Sequence, residues 1–126
     1  MKQIFTLFSA LVVLTSFTVS ASIDEMVKAL KEGNAAEIAR YFDNTVEITL
    51  PDKSNSYSKS QAEVVLRDFF INNPVKGFNL LHKGENNGSQ YCIGNLVTKN
   101  GTYRATVFMK LKGGRQILQE IRFENL

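Results

Sequence analysis

Cysteine, histidine and tryptophan are almost missing from this chain: one Cys, one His and no Trp in 126 residues. A zinc site takes about four ligands, mostly Cys and His, and only His82 and Cys92 are on offer, so no metal site is predicted. A disulfide framework needs paired thiols, which a single Cys excludes. The glycines spell neither GxxxxGKS/T nor GxGxxG, so there is no phosphate-cradling loop and no cofactor is implied. Internal repeats, low-complexity tracts and interdomain linkers are absent as well. Hydrophobic residues are 44% and charged residues 21%, a composition that excludes a disordered chain and at this length predicts one domain.

Long apolar runs are also scarce. The one candidate, Ile4–Val19, falls short of the ~20 apolar residues of a membrane span and is rich in Ser and Thr. Met1-Lys2 before it and the small residues Ser20-Ala21 after it describe a secretory signal peptide over residues 1–21. Val19 and Ala21 fit the −3 and −1 positions. The mature chain is then Ser22–Leu126, exported to the periplasm or beyond, with no stable membrane span. Ser22–Pro74 carries six basic against nine acidic residues, and Val75–Leu126 eight basic against three. The basic residues of the second half are scattered, which predicts a solvated sheet face and no nucleic-acid partner.

Three helix starts are written in capping residues: Ser22 with Glu25, Asn34 with Glu37, and Ser58 with Gln61. Ile23, Met26, Val27 and Leu30 give the first helix an apolar stripe ending at Gly33. Ile38, Tyr41 and Phe42 follow in the second, and Val64, Val65, Phe69 and Phe70 in the third, which Pro74 ends. Between the last two, Val46, Ile48 and Leu50 alternate with polar residues as a strand to Pro51, and Asp52–Tyr57 reads as a polar loop. Beyond Pro74 three turn signals, Asn87-Gly88, Lys99-Asn100-Gly101 and Gly113-Gly114, divide four antiparallel strands. Asn87-Gly88-Ser89 and Asn100-Gly101-Thr102 also spell glycosylation sequons, but the turns account for both.

A two-residue turn at Asn87-Gly88 pairs His82 with Ile93. Three-residue loops at Lys99–Gly101 and Gly113–Arg115 pair Ile93 with Val107 and Val107 with Ile121. This register places Phe78, Leu80, Tyr91, Ile93, Val97, Tyr103, Ala105, Val107, Met109, Leu111, Ile117, Ile121 and Phe123 on the inner face, with His82, Asn95 and Gln119 as polar intruders. Lys83, Cys92, Leu96, Arg104, Phe108, Lys110, Leu118, Glu120 and Arg122 fall on the outer face. A one-residue slip would exchange the two.

The order of elements resembles the nuclear transport factor 2-like, cystatin-like fold: α+β, three helices packed on a curved antiparallel sheet forming a cone. Ala36–Pro51 (AEIARYFDNTVEITLP), Tyr57–Pro74 (YSKSQAEVVLRDFFINNP) and Gly94–Arg104 (GNLVTKNGTYR) are similar to the small exported bacterial family called domain of unknown function 4783. The likeness covers nearly all of residues 22–126. It implies the fold but no activity, substrate or catalytic residue, and this fold carries isomerases, dehydratases, binding proteins and interaction domains alike.

Three functional readings follow. In the first, the domain holds a small apolar ligand inside the cone, with His82, Asn95, Gln119, Tyr91 and Tyr103 as anchors. In the second, it forms a homodimer through the outer sheet face around Cys92, Phe108 and Leu96. In the third, an isomerase or dehydratase uses His82 as general base beside Asn95 and Tyr91 or Tyr103; relatives of that kind rely on an Asp base, and the inner face has none. A Cys92–His82 nucleophilic pair is disfavoured because the two fall on opposite faces. A non-catalytic domain is the expectation. N-terminal sequencing of exported protein should read from Ser22, and a retained Met1 would refute export.

Overall fold

The structure is a computed structural model that describes residues 20–126. Residues 1–19 of the expected leader, which runs to residue 21, lie outside the described residues. Three helices and six strands make up the described part: α1 (Ser20–Glu32), α2 (Ala35–Ala39), β1 (Phe42–Leu50), β2 (Lys53–Ser58), α3 (Lys59–Asn72), β3 (Val75–Asn86), β4 (Ser89–Thr98), β5 (Gly101–Lys112) and β6 (Arg115–Asn125). The strands form one curved sheet in the order β2-β1-β6-β5-β4-β3, antiparallel except for β1 beside β6. The stretch expected as a polar loop is therefore mostly the edge strand β2, hydrogen-bonded back onto β1 from Leu50↔Lys53 to Thr45↔Ser58. Its polarity suits an edge, where charged and hydroxyl side chains discourage pairing with another chain.

Local chemistry starts two of the helices as expected. The Asn34 side chain accepts from the Glu37 N–H at 3.1 Å. Ser58 accepts from the Gln61 N–H at 3.4 Å and donates to its Oε1 at 3.2 Å. Ser22 differs: α1 begins at Ser20, so Ser22 sits within the helix, and Glu25 instead accepts the Tyr41 hydroxyl. That tyrosine is pushed up to about 12, first by burial and then by Glu25.

The helices cover one face of the sheet. Ile23, Met26 and Leu30 of α1 are buried there, as are Leu66, Phe69 and Phe70 of α3. The Phe69 ring stacks on Phe123 of β6 with centroids 4.5 Å apart, and Phe70 meets the same ring edge-on at 5.9 Å. Val64 departs from the expected core side of α3; it is 46% exposed.

Strand register corrects the expected faces. Val107 pairs with Ile121 as expected, but by a different route. Gly113-Gly114 is a two-residue turn pairing Lys112 with Arg115, and a bulge at Gln119 between Phe108↔Glu120 and Met109↔Leu118 restores the alignment. A bulge adds one residue and reverses the alternation beyond it. Leu118 thus points inward with no exposed surface, and Ile117 does not belong to the core. At Thr98↔Gly101 the turn again has two residues, and no bulge compensates, so Cys92 and not Ile93 faces Val107. Thr98 secures this tight turn, its hydroxyl donating to the Gly101 carbonyl at 2.7 Å and accepting from the Asn100 N–H at 3.1 Å.

The whole of β4 is consequently turned over. Cys92 and Leu96 are core residues with no exposed surface, whereas Tyr91, Ile93, Asn95 and Val97 lie on the face away from the helices. The inward side of β4 has to be narrow at its middle. Phe78 lies flat across Gly94, where a Cβ would collide with its ring and with the Asn79 carbonyl. On β3 a second bulge at Leu81 lets Phe78 pair with Leu96 inside while His82 still pairs with Ile93 outside.

Burial pushes the Cys92 thiol up from 9.0 to about 12, slightly opposed by Lys83. A raised value in the folded state means that its stabilising contribution is intact below pH 9 and is lost as pH climbs towards 12. Unfolding free energy should therefore fall by up to about 1.4 kcal/mol per pH unit across that window, more gently in Cys92→Ala. Urea titrations at stepped pH measure the slope, and a native thiol that reacts promptly with a thiol reagent near about pH 8 would contradict the burial.

Candidate functional site

The centre of the cone is solid. Leu66, Leu96, Val107, Leu118, Ile121 and Phe123 have no exposed surface there. Space opens between the C-terminal half of α3 and the β1–β2 turn. There a cleft of about 460 Å³ is lined by Leu50, Pro51, Asp52 and Lys53 at the β1–β2 turn, by Val65, Asp68, Phe69, Asn72 and Asn73 of α3 and its cap, and by Tyr103 of β5. Phe69 forms an apolar floor, held edge-on to Tyr103 at 5.5 Å and stacked on Phe123.

One wall of this cleft is a hydrogen-bonded knot around Asn73. Its amide nitrogen donates to the Phe69 carbonyl at 3.0 Å, closing the last turn of α3. Its oxygen accepts the Tyr103 hydroxyl at 3.0 Å and the Asn100 amide at 3.3 Å. Asn100 also donates to the Asn72 carbonyl at 2.5 Å, and the Lys99 N–H to the Pro74 carbonyl at 2.9 Å, so the β4–β5 turn is tied to the end of α3. The side chains of Asp52, Lys53, Asp68 and Asn72 make no hydrogen bond or ion pair with the other described residues. Both charge signs and an amide are therefore available to something in the cleft.

Of the five anchors expected from sequence, only Tyr103 is here. His82 and Tyr91 lie together on the opposite face, ring centroids 5.4 Å apart, with the Tyr91 ring spread over Gly84. Asn95 is on that face too, accepting from Arg104 Nε at 3.1 Å. Gln119 occupies the β6 bulge and donates to Asp43 at 3.2 Å. Asp43 is held below the usual carboxylate range first by the Asn44 N–H, then by Lys112 and Gln119. The reason in each case is register: odd positions of β4 face outward, and the bulge takes Gln119 out of the alternation. The expected interface trio is divided in the same way. Cys92 and Leu96 are inside, and Phe108, 38% exposed, stays on the outer face with the Arg122 guanidinium 5.7 Å above its ring.

The polar residues of the cleft are not legible as a site in the sequence because they come from three separate places. Asp52 and Lys53 belonged to a presumed loop, Asn72 and Asn73 to a helix end before Pro74, and Asp68 to the exposed side of α3. Among the described residues no three His, Cys, Asp or Glu side chains cluster as metal ligands, and no helix is long and apolar enough to cross a membrane.

The family model for domain of unknown function DUF4783 matches residues 23–124. The chain belongs to this family. Its fold is shared with the crystal structure of a DUF4783 family protein from Bacteroides uniformis ATCC 8492, at 31% identity and TM-score 0.79, over 82% of this chain and 95% of that one. A DUF4783 family protein from Bacteroides fragilis YCH46 is 33% identical, with TM-score 0.76 over 81% and 96%. An NTF2-like protein of unknown function from Cytophaga hutchinsonii ATCC 33406 aligns with TM-score 0.61 at 12% identity over 88% and 92%, which speaks for the fold alone. No curated protein matches. As a DUF4783 domain the chain is an NTF2-like α+β cone, and its cleft lies beside α3.

Removing the Asn73 side chain should unfasten this wall. Asn73→Ala should lower stability by about 1–3 kcal/mol, and Tyr103→Phe by about 1 kcal/mol. Urea denaturation reads both, and a neutral Asn73→Ala would show that the knot does not hold the cleft together.

Proposed function

We propose that this protein is an exported, non-catalytic binding domain that holds a small polar ligand in the cleft between α3 and the β1–β2 turn. The observation that carries the reading is the cleft itself. It has about 460 Å³ of space, an aromatic floor and a rim of Asp52, Lys53, Asp68 and Asn72 whose side chains have no hydrogen-bond or ion-pair partner among the described residues. Ligand sites combine an apolar surface with a few converging polar groups in about 300–1,000 Å³. The ligand of an apolar cone interior gives way to a polar one, because the interior is filled and the available space is charged.

The isomerase or dehydratase alternative loses its base. A general base must come within hydrogen-bond reach of the proton it removes, and His82 is exposed on the far side of the sheet from the cleft. Self-association through the outer face retains Phe108 alone of its three residues, and Arg122 already lies over that ring.

Amide chemical shifts of the isotopically labelled protein, titrated with a library of small polar compounds, test the cleft. Binding should move Asp68, Asn72 and Tyr103 together and leave His82 and Tyr91 unmoved. Shifts confined to the His82 face, or a library without a binder, would overturn the reading.

A further inference from the structure

A second hollow continues the cleft along α3. It holds about 360 Å³ and is lined by Tyr57 of β2 and by Ser60, Gln61, Val64 and Val65 of the first turns of α3. Val65 borders both spaces, so they are neighbours along one helix and one edge strand. Their chemistry differs sharply. The hollow offers the phenol ring of Tyr57 and two valines, one of them nearly half exposed, while the cleft offers Asp52, Lys53, Asp68 and Asn72.

The geometry points to an amphipathic zwitterion as the ligand: a head carrying both an ammonium and a carboxylate, in the cleft, and a compact apolar group in the Tyr57–Val64–Val65 hollow. This deepens the cleft reading above and rests on it. Asp52 and Asp68 supply acceptors for an ammonium, and Lys53 and the Asn72 amide supply donors for a carboxylate. The side chain of each has no hydrogen-bond or ion-pair partner among the described residues. Valine and tyrosine surface exposed beside that charged end is covered when an apolar group enters, which is favourable by ~25 cal/mol per Å² of apolar surface buried. Spacing sets the size. Val64 and Asp68 are one helical turn apart, about 6 Å along α3, which is the reach from the α-carbon of a large apolar amino acid to the tip of its side chain. A fatty acid would lack the ammonium, an alkylamine would lack the carboxylate, and a free sugar would leave the hollow empty.

Three probes separate the parts of the claim: phenylalanine, N-acetylphenylalaninamide (the same ring without charges) and glycine (the same head without a ring). Titrated into the isotopically labelled protein, phenylalanine should shift Val64 and Val65 at one end and Asp68, Asn72 and Tyr103 at the other. It should bind at least about tenfold more tightly than either control. Asp68→Asn and Val64→Ser, both at exposed positions, should each weaken phenylalanine by about tenfold while leaving the spectrum otherwise folded. Equal binding of N-acetylphenylalaninamide would overturn the charged head. Shifts at Asp68 and Asn72 without Val64 would overturn the apolar subsite. No response to phenylalanine, in a protein whose cleft residues do respond to other polar compounds, would overturn this inference and leave the cleft reading standing. No response to any compound would remove both.

Discussion

The stack of Phe69 on Phe123 is the contact from which the rest of the molecule hangs. Phe123 is on β6, one of the two central strands, and Phe69 is on the inward side of α3. Two large rings buried face to face contribute beyond their area, by about 0.5–1.5 kcal/mol for the pair. Phe70 and Tyr103 add edge-on contacts to the same cluster. The position of α3 over the sheet is thereby fixed at one end. Val65, Asp68, Phe69 and Asn72 of α3 then border the cleft that opens between the helix and the β1–β2 turn. Its floor and the core are the same aromatic cluster, so a ligand resting on Phe69 touches the part of the fold least able to move.

How far the fold could be read from sequence depended on whether the signal was local. Caps at Asn34 and Ser58, the stop at Gly33 and the Asn87-Gly88 turn act within four residues, and the structure has each. Register is a sum over turns and bulges, and one residue decides it. The Val107↔Ile121 pairing was reached by two offsetting errors, an overlong loop at Gly113–Arg115 and an unforeseen bulge at Gln119. On β4 the single overlong loop had nothing to offset it, and all of its side chains exchanged faces. Apolar content favoured the wrong side there: Tyr91, Ile93 and Val97 look more like a core than Gln90, Cys92, Gly94 and Leu96. Space made the choice, because a face pressed against Phe78 and α1 accommodates glycine and a thiol where it would not accommodate a tyrosine ring.

The candidate site was less legible for a related reason. Its polar residues are contributed by the β1–β2 turn, by α3 and its cap, and by β5, and only packing of α3 brings them together. Tyr103 was readable because β5 kept its expected face. Asn73 was not, since an Asn at a helix end is ordinarily a cap. It is one here too, with the same side chain also receiving Tyr103 and Asn100.

Electrostatics also shapes what the cleft presents. Some surface charges are matched, Lys28 with Glu32, Arg67 with Glu63, Lys83 with Asp24 and Lys112 with Asp43, while others, Lys31, Lys59, Lys76 and Glu85 among them, form no ion pair with the described residues. Lys53, Asp52 and Asp68 border one cleft and stay apart. An exposed pair among them would add no more than about 1 kcal/mol, so their separation costs the fold almost nothing. It does change what the cleft presents. Paired charges would offer a neutral surface, whereas separate ones keep acceptors and donors on hand for a molecule that carries both.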